Sequence, residues 1–212
     1  MKIQWLGHSC FLMTTNEGTR ILTDPFDETV GYEVPAVEAD IVTSSHDHFD
    51  HNYFRAVKGD FTIVDGPGKQ TVRTIEMEGI ATYHDEQQGK LRGTNIMYVF
   101  TIDGMRICHC GDLGHQLPQK EVEAVGKIDI LMVPVGDVFT IDAMGAKKVV
   151  DAINPTIVIP MHYKTPDMTF DIQGVEPFLT AMNGWKVEKE GNTIKIDDAG
   201  EKRIVVMDYK TR

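Results

Sequence analysis

Only three cysteines, Cys10, Cys108 and Cys110, occur in the 212 residues. So sparse and odd a set builds no disulfide framework, and a reducing cytoplasm is the expected setting. No apolar run reaches about 18 residues, which argues against a membrane-spanning helix. The start, Met1-Lys2-Ile3-Gln4-Trp5, lacks the charged and then apolar layout of a secretory signal. Positive charge is scarce as well: 21 Lys and Arg stand against 32 Asp and Glu, a formal net charge of −11. A field of that sign repels phosphate backbones and argues against a general nucleic-acid surface. No internal repeat, linker or low-complexity stretch interrupts the chain, so residues 1–212 read as one domain.

What is present is a series of short apolar runs broken by Gly, Asp and Pro. They predict strands over 3–6, 10–13, 20–23, 41–44, 61–64, 80–84, 96–102, 105–110, 128–135 and 156–161. Asp103-Gly104 reads as a hairpin turn. Asp142 predicts the N-cap of a helix over 143–153, with Ala146, Val149, Val150 and Ile153 at helical spacing and Asn154-Pro155 as the stop. Helices are also expected over 174–182 and, shorter, over 52–57. The tail, 186–207, reads as antiparallel strands turned at Gly191-Asn192 and Asp198-Ala199-Gly200. Many strands with interspersed helices predict an α/β or α+β sandwich.

The most informative segment is Ser45-His46-Asp47-His48-Phe49-Asp50-His51, directly after a β-branched run. Neutral imidazole and carboxylate are the ligands a borderline cation such as zinc takes in a catalytic site. His46 and His48, two apart on extended chain, point the same way and can grip one ion, while Asp50 and His51 on the following turn can reach a second. Further ligands stand at the ends of separate strands: His84 after Tyr83, Asp112 after Cys110-Gly111, and His162 after Pro160-Met161. Convergence of strand ends on one sheet edge is how a rigid scaffold fixes such a site.

The set His46-x-His48-x-Asp50-His51, then His84, Asp112 and His162, resembles that of the metallo-β-lactamase-fold hydrolases, as do Asp24-Pro25, Gly111-Asp112 and Ile159-Pro160-Met161-His162. The resemblance implies a single-domain αββα sandwich with a dinuclear site at one edge. His46, His48 and His84 would hold the first metal, Asp50, His51 and His162 the second, and Asp112 would bridge them. Asp24 would hydrogen-bond a ligand from behind. Gly7-His8-Ser9-Cys10 and Gly111-Asp112-Leu113-Gly114-His115 are similar to segments of the small lactonase group that opens ascorbate 6-phosphate.

The implied chemistry is hydrolysis of an ester, lactone or phosphodiester in a small, anionic molecule. Two divalent ions, zinc first and Mn, Fe or Ni as alternatives, would supply a hydroxide. Asp50 would orient it, and the second metal or a protonated histidine such as His8 would assist the leaving group. A homo-oligomer is compatible with this. Rival expectations are a di-iron redox protein, against which His48 stands where those sites place Glu, and a nuclease, against which the acidic charge stands. His8, His115 and Lys164 are further candidates for the pocket. His109, flanked by Cys108 and Cys110 on a predicted strand, is expected to face away from both and to be a core or surface residue.

Overall fold

Alternation along the strands builds the layers. In the computed structural model, which describes residues 1–210, one sheet contains β1 (Lys2–Gly7), β2 (Cys10–Thr14), β3 (Arg20–Thr23), β4 (Ile41–Thr43), β5 (Thr62–Val64) and β13 (Thr193–Lys195). The order is β13-β1-β2-β3-β4-β5. Ile21 and Ile41 turn inward with Ile3, Trp5, Phe11 and Met13, against Tyr98 and Phe100 of the opposing sheet. One residue along, Leu22 and Val42 point the other way and pack with Cys10, Phe26 and Val30. Loops and two 3-10 turns, Glu28–Val30 and Phe54–Ala56, cover that outer face.

The second sheet contains β6 (Gly68–Val72), β7 (Ile75–Tyr83), β8 (Thr94–Ile102), β9 (Met105–His109), β10 (Ile130–Pro134), β11 (Ile157–Met161), β12 (Lys186–Glu190) and β14 (Arg203–Met207). Its order is β12-β14-β11-β10-β9-β8-β7-β6. The helices α1 (Gln119–Val125), α2 (Ala143–Ile153) and α3 (Glu176–Ala181) lie with it, and Ala146, Val149, Val150 and Ile153 of α2 join the main core. The Asp142 side chain accepts from Gly145 N–H at the start of α2, and Asn154 adopts a left-handed C-cap, as their positions foretold. Among the described residues no helix is long and apolar enough to cross a membrane.

Strand direction positions the site. β3, β4 and β5 are mutually parallel, and so are β9, β10 and β11. β7 and β1 each reach a parallel neighbour through two antiparallel pairings, so they run the same way as β9 and β3. The segments leaving β1, β3, β4, β7, β9 and β11 therefore emerge at one edge, outside the carboxyl ends of parallel strands, where open sheets characteristically place ligands.

The tail departs from expectation. β12 and β14 pair in parallel within the second sheet, whereas β13 pairs antiparallel with β1 in the first. A strand laid on the other sheet returns the chain to the edge it left, so β14 enters in the same direction as β12. The helix expected over 174–182 is confined to α3, and the one over 52–57 is a single 3-10 turn. Neither β6 nor α1 is announced by the sequence: Gly-Lys-Gln-Thr-Val is a polar, mostly exposed edge strand, and α1 is a short polar helix.

Candidate metal centre

The loop after β4 is anchored from behind by Asp24, which follows β3. The carboxylate of Asp24 accepts from the Ser45 N–H (2.8 Å), the Ser45 hydroxyl (2.6 Å) and His51 Nδ1 (2.8 Å). A carboxylate only accepts, so Nδ1 of His51 carries a hydrogen and Nε2 is left facing the centre. Ser45 Oγ, its proton engaged by Asp24, in turn accepts from His46 Nδ1 at 2.9 Å, leaving His46 Nε2 toward the centre as well.

Three groups of side chains are compact enough to hold an ion, and one of them, His46, His51 and Asp112, spans the other two. Of those two, His46, His48 and His84 form one, and His8, Asp50, His51 and His162 the other, each with ligand atoms within 4.8 Å of one another. Asp112 stands between: its Oδ2 lies 3.2 Å from His51 Nε2, 3.3 Å from His84 Nε2 and 3.1 Å from His162 Nε2. The sequence-derived set is thus brought together whole, with His8 beside it at 3.2 Å from Asp50 Oδ2. His46 Nε2, His51 Nε2 and Asp112 Oδ1 are buried without hydrogen-bond partners among the described residues. Orphaned donor atoms of this kind fit a divalent ion.

The electrostatics agree. Burial disfavours ionised Asp112, but the imidazoles of His162 and His51 outweigh it and hold the carboxyl well below its ordinary range. Burial likewise opposes a charged His51, yet Asp112 and Asp50 override it and push its pKa well up. These two carboxylates call for positive charge at His51 Nε2, the place where an ion would sit. Burial, helped by neighbouring imidazoles, lowers His46 to about 3 and His8 to about 4, favouring neutral imidazole at both, the ligating form at His46.

Backbone strain marks the same edge. His8, Asp24 and His162 hold left-handed φ values of 52°, 43° and 51°, uncommon for residues with a side chain and costing of order 1–3 kcal/mol each. Gly111, φ 55°, is required where it stands: a Cβ would run into Asn95 Oδ1 and the Ser45 side chain. Asn95 was not foreseen. Its Oδ1 accepts from the Asp112 N–H (2.9 Å), and its Nδ2 donates to Cys110 O (2.9 Å) and Thr82 Oγ1 (2.8 Å). A polar residue inside a buried strand was the available signal.

Other candidates lie outside the cluster. His109 is a core residue that donates from Nε2 to Ser9 O at 2.8 Å and accepts from the Gly111 N–H. His115 accepts from the Tyr83 N–H and faces Glu121. Lys164 Nζ donates to the carbonyls of Met168 and Phe170. It holds a loop in place, and that loop sets Phe170 edge-on to His8 at 5.7 Å between ring centroids.

A model of the β-lactamase superfamily domain matches residues 2–162, a span that contains every residue of both groups. The chain belongs to the metallo-β-lactamase superfamily. A superfamily relative, the UPF0173 metal-dependent hydrolase of Thermoplasma acidophilum, is 32% identical over 194 residues, spanning 79% of this chain and 85% of its own. A solved structure of a superfamily member from Thermotoga maritima superposes with a TM-score of 0.81 at 40% identity, covering 97% of each chain. Another, from Parabacteroides distasonis, shares the fold at 21% identity and a TM-score of 0.71, covering 99% of this chain and 93% of its own.

Proposed function

We propose that this superfamily member is a hydrolase that works with two divalent ions. His46, His48 and His84 hold the first, Asp50, His51 and His162 the second, and Asp112 lies between them. One observation carries the reading: a single carboxylate oxygen of Asp112 stands within 3.1 to 3.3 Å of imidazole nitrogens from both groups. The relatives named metal-dependent hydrolases in two Thermoplasma species, and the zinc-dependent assignment of the Thermotoga maritima neighbour, support the same reaction class. Imidazole with carboxylate suits zinc, with Mn, Fe and Ni as competitors.

When bound, such ions supply Lewis acidity and lower the pKa of water from about 15.7 to about 7, making a nucleophile available at neutral pH. The chain's own groups do the rest. Asp24 fixes the tautomer and ring plane of His51, and Ser45 does the same for His46. Asn95 fixes the turn that carries Asp112. His8, neutral once buried, donates from Nε2 to Asp50 and sets that carboxylate's orientation. The substrate class is a small anionic ester, lactone or phosphodiester, and the likeness of the Gly7–Cys10 segment to the lactonase group favours a lactone.

Metal analysis of the purified chain, with hydrolysis of an aryl ester, a γ-lactone and bis(4-nitrophenyl) phosphate, tests this. The expected result is two equivalents of transition metal and turnover that falls at least 100-fold in H48A and D112N. Less than one equivalent after loading, or turnover retained in both variants, would overturn it.

A further inference from the structure

Beside His84 lies a cleft of about 470 Å³ whose walls differ in kind from the metal centre. One wall is the loop after β7. The carboxylate of Asp85 gathers the N–H groups of Gln87, Gly89, Leu91 and Arg92 at 2.7 to 3.0 Å, which sets the loop's shape and places Arg92. The facing wall is the start of α2, where Met144 and Lys148, four apart, share one helix face.

Arg92 and Lys148 are the cations of this cleft, and neither pairs with a carboxylate among the described residues. Arg92 donates one hydrogen to Val138 O at 2.9 Å and lies 5.7 Å over the Phe139 ring, which leaves most of its planar fork of donors unused. Some cations elsewhere hold acids, as Arg20 holds Asp40, Arg203 holds Glu188, and Lys147, next to Lys148, holds Asp151; others, such as Lys58, Lys120 and Lys189, stand on the open surface rather than in a cleft beside the metal centre. The acids of the cleft are engaged differently. Asp85 takes the loop N–H groups, Asp142 caps α2, and Asp137 accepts from Gln173; Glu86 is exposed to solvent.

The cleft is also apolar in part. Leu91, Phe139 and Met144 expose 63%, 38% and 53% of their surface, a cost in water that a bound apolar group removes. Phe139 meets Phe170 edge-on at 6.1 Å, and Phe170 meets His8, so an aromatic wall runs from the cleft to the metal groups.

We infer that Arg92 and Lys148 bind a second, non-reacting acidic group of the substrate, a carboxylate or a phosphate, in the cleft beside His84. An apolar segment of the same molecule covers Phe139 and Met144. This deepens the hydrolase reading and rests on it, since only turnover makes the bound acid a substrate. The cleft lining carries four acids, Asp85, Glu86, Asp137 and Asp142, against these two cations, so Arg92 and Lys148 select and orient an anion by direct charge-assisted hydrogen bonds at short range, not through a net positive field.

Two readouts on the metal-loaded protein test this, comparing wild type with R92Q/K148Q and the charge-keeping R92K/K148R. Calorimetry measures binding of benzylphosphonate and of benzylsuccinate, one arm for each acid. Kinetics compare 4-nitrophenyl butyrate with the 4-nitrophenyl hemiester of glutaric acid. In R92Q/K148Q, affinity for at least one acid falls tenfold or more and KM for the hemiester rises by a similar factor. Metal content and the neutral ester's kcat/KM stay within twofold, and R92K/K148R recovers most of the loss. Affinities equal in wild type and R92Q/K148Q, or an equal loss in both double variants, would overturn the subsite. If neither ester is hydrolysed but acid binding still depends on the two cations, the subsite stands and the hydrolase reading fails. If both esters are hydrolysed but neither acid binding nor KM depends on the two cations, the hydrolase reading stands and the subsite fails.

Discussion

Asp24 Oδ2 meets His51 Nδ1 at 2.8 Å, across 27 residues of sequence, with both side chains fully buried. That contact ties down one end of the loop after β4, and the same carboxylate ties down the other by taking the Ser45 N–H and hydroxyl. Asp24 is held in the ionised form although burial opposes it, chiefly by the hydrogen bond and charge of His51.

Asp24→Asn keeps the shape but presents an amide that no longer demands hydrogen on His51 Nδ1. Metal affinity is expected to fall about 10- to 100-fold, as for other outer partners of ligating histidines. Competition with a chromogenic chelator measures it, and circular dichroism should show the fold retained.

Asn95→Ala strands the Asp112 N–H and the Cys110 carbonyl in a buried turn. An unsatisfied buried polar group costs about 1–3 kcal/mol. The urea midpoint of the metal-free variant should drop accordingly without a change in m, and metal uptake should weaken because Asp112 loses its support.

Removing metal should destabilise the native protein. Ligand atoms orphaned in the metal-free centre gain partners only when ions bind, and an ion at 100 times its Kd adds about 2.7 kcal/mol. For a chain of this size that corresponds to a fall in Tm of roughly 5–10 °C on chelation, read by scanning calorimetry. Restoring zinc should restore the Tm, and H48A should narrow the gap.

Asp85 gives the loop over 86–92 an acid-sensitive clasp. Burial raises its pKa, but four backbone N–H groups outweigh this and lower it below the ordinary value. A carboxyl with a depressed folded-state pKa contributes stability that is present above its unfolded value, about 3.9, and is lost as pH falls through the folded value. Hydrogen exchange of the Gln87, Gly89, Leu91 and Arg92 amides should therefore be well protected at neutral pH and lose protection below about pH 4. In Asp85→Asn the amides should exchange faster already at neutral pH, with little further change on acidification.

The ligand loop was legible because His46, His48, Asp50 and His51 fall within six positions, and their spacing is itself the signal. Asp24, His84, Asp112 and His162 were legible as polar residues where apolar runs stop. The helix α2 was readable from its cap to its stop, since capping and helical periodicity are local. Asn95 and Phe170 were not readable, because each acts on a partner brought near only by the packed sheets. The tail misled for the same reason: turn residues at Gly191-Asn192 look alike whether the next strand pairs back or crosses to the other sheet, and here β13 crosses to β1.

The sequence by itself determined the scaffold's alternating strands, the donor types and their order along the chain, all set by neighbours a few residues away. Only the tertiary structure decided that these donors meet. Parallel direction of β3 with β4, and of β9 with β10 and β11, delivers their ends to one edge, and pairing between distant strands is a long-range choice. The same packing buries carboxylates beside imidazoles and sets Arg92 and Lys148 in one cleft without a carboxylate partner among the described residues. Few cations for so many acids was the scarcity visible at the outset, and the fold leaves these two unpaired beside His84.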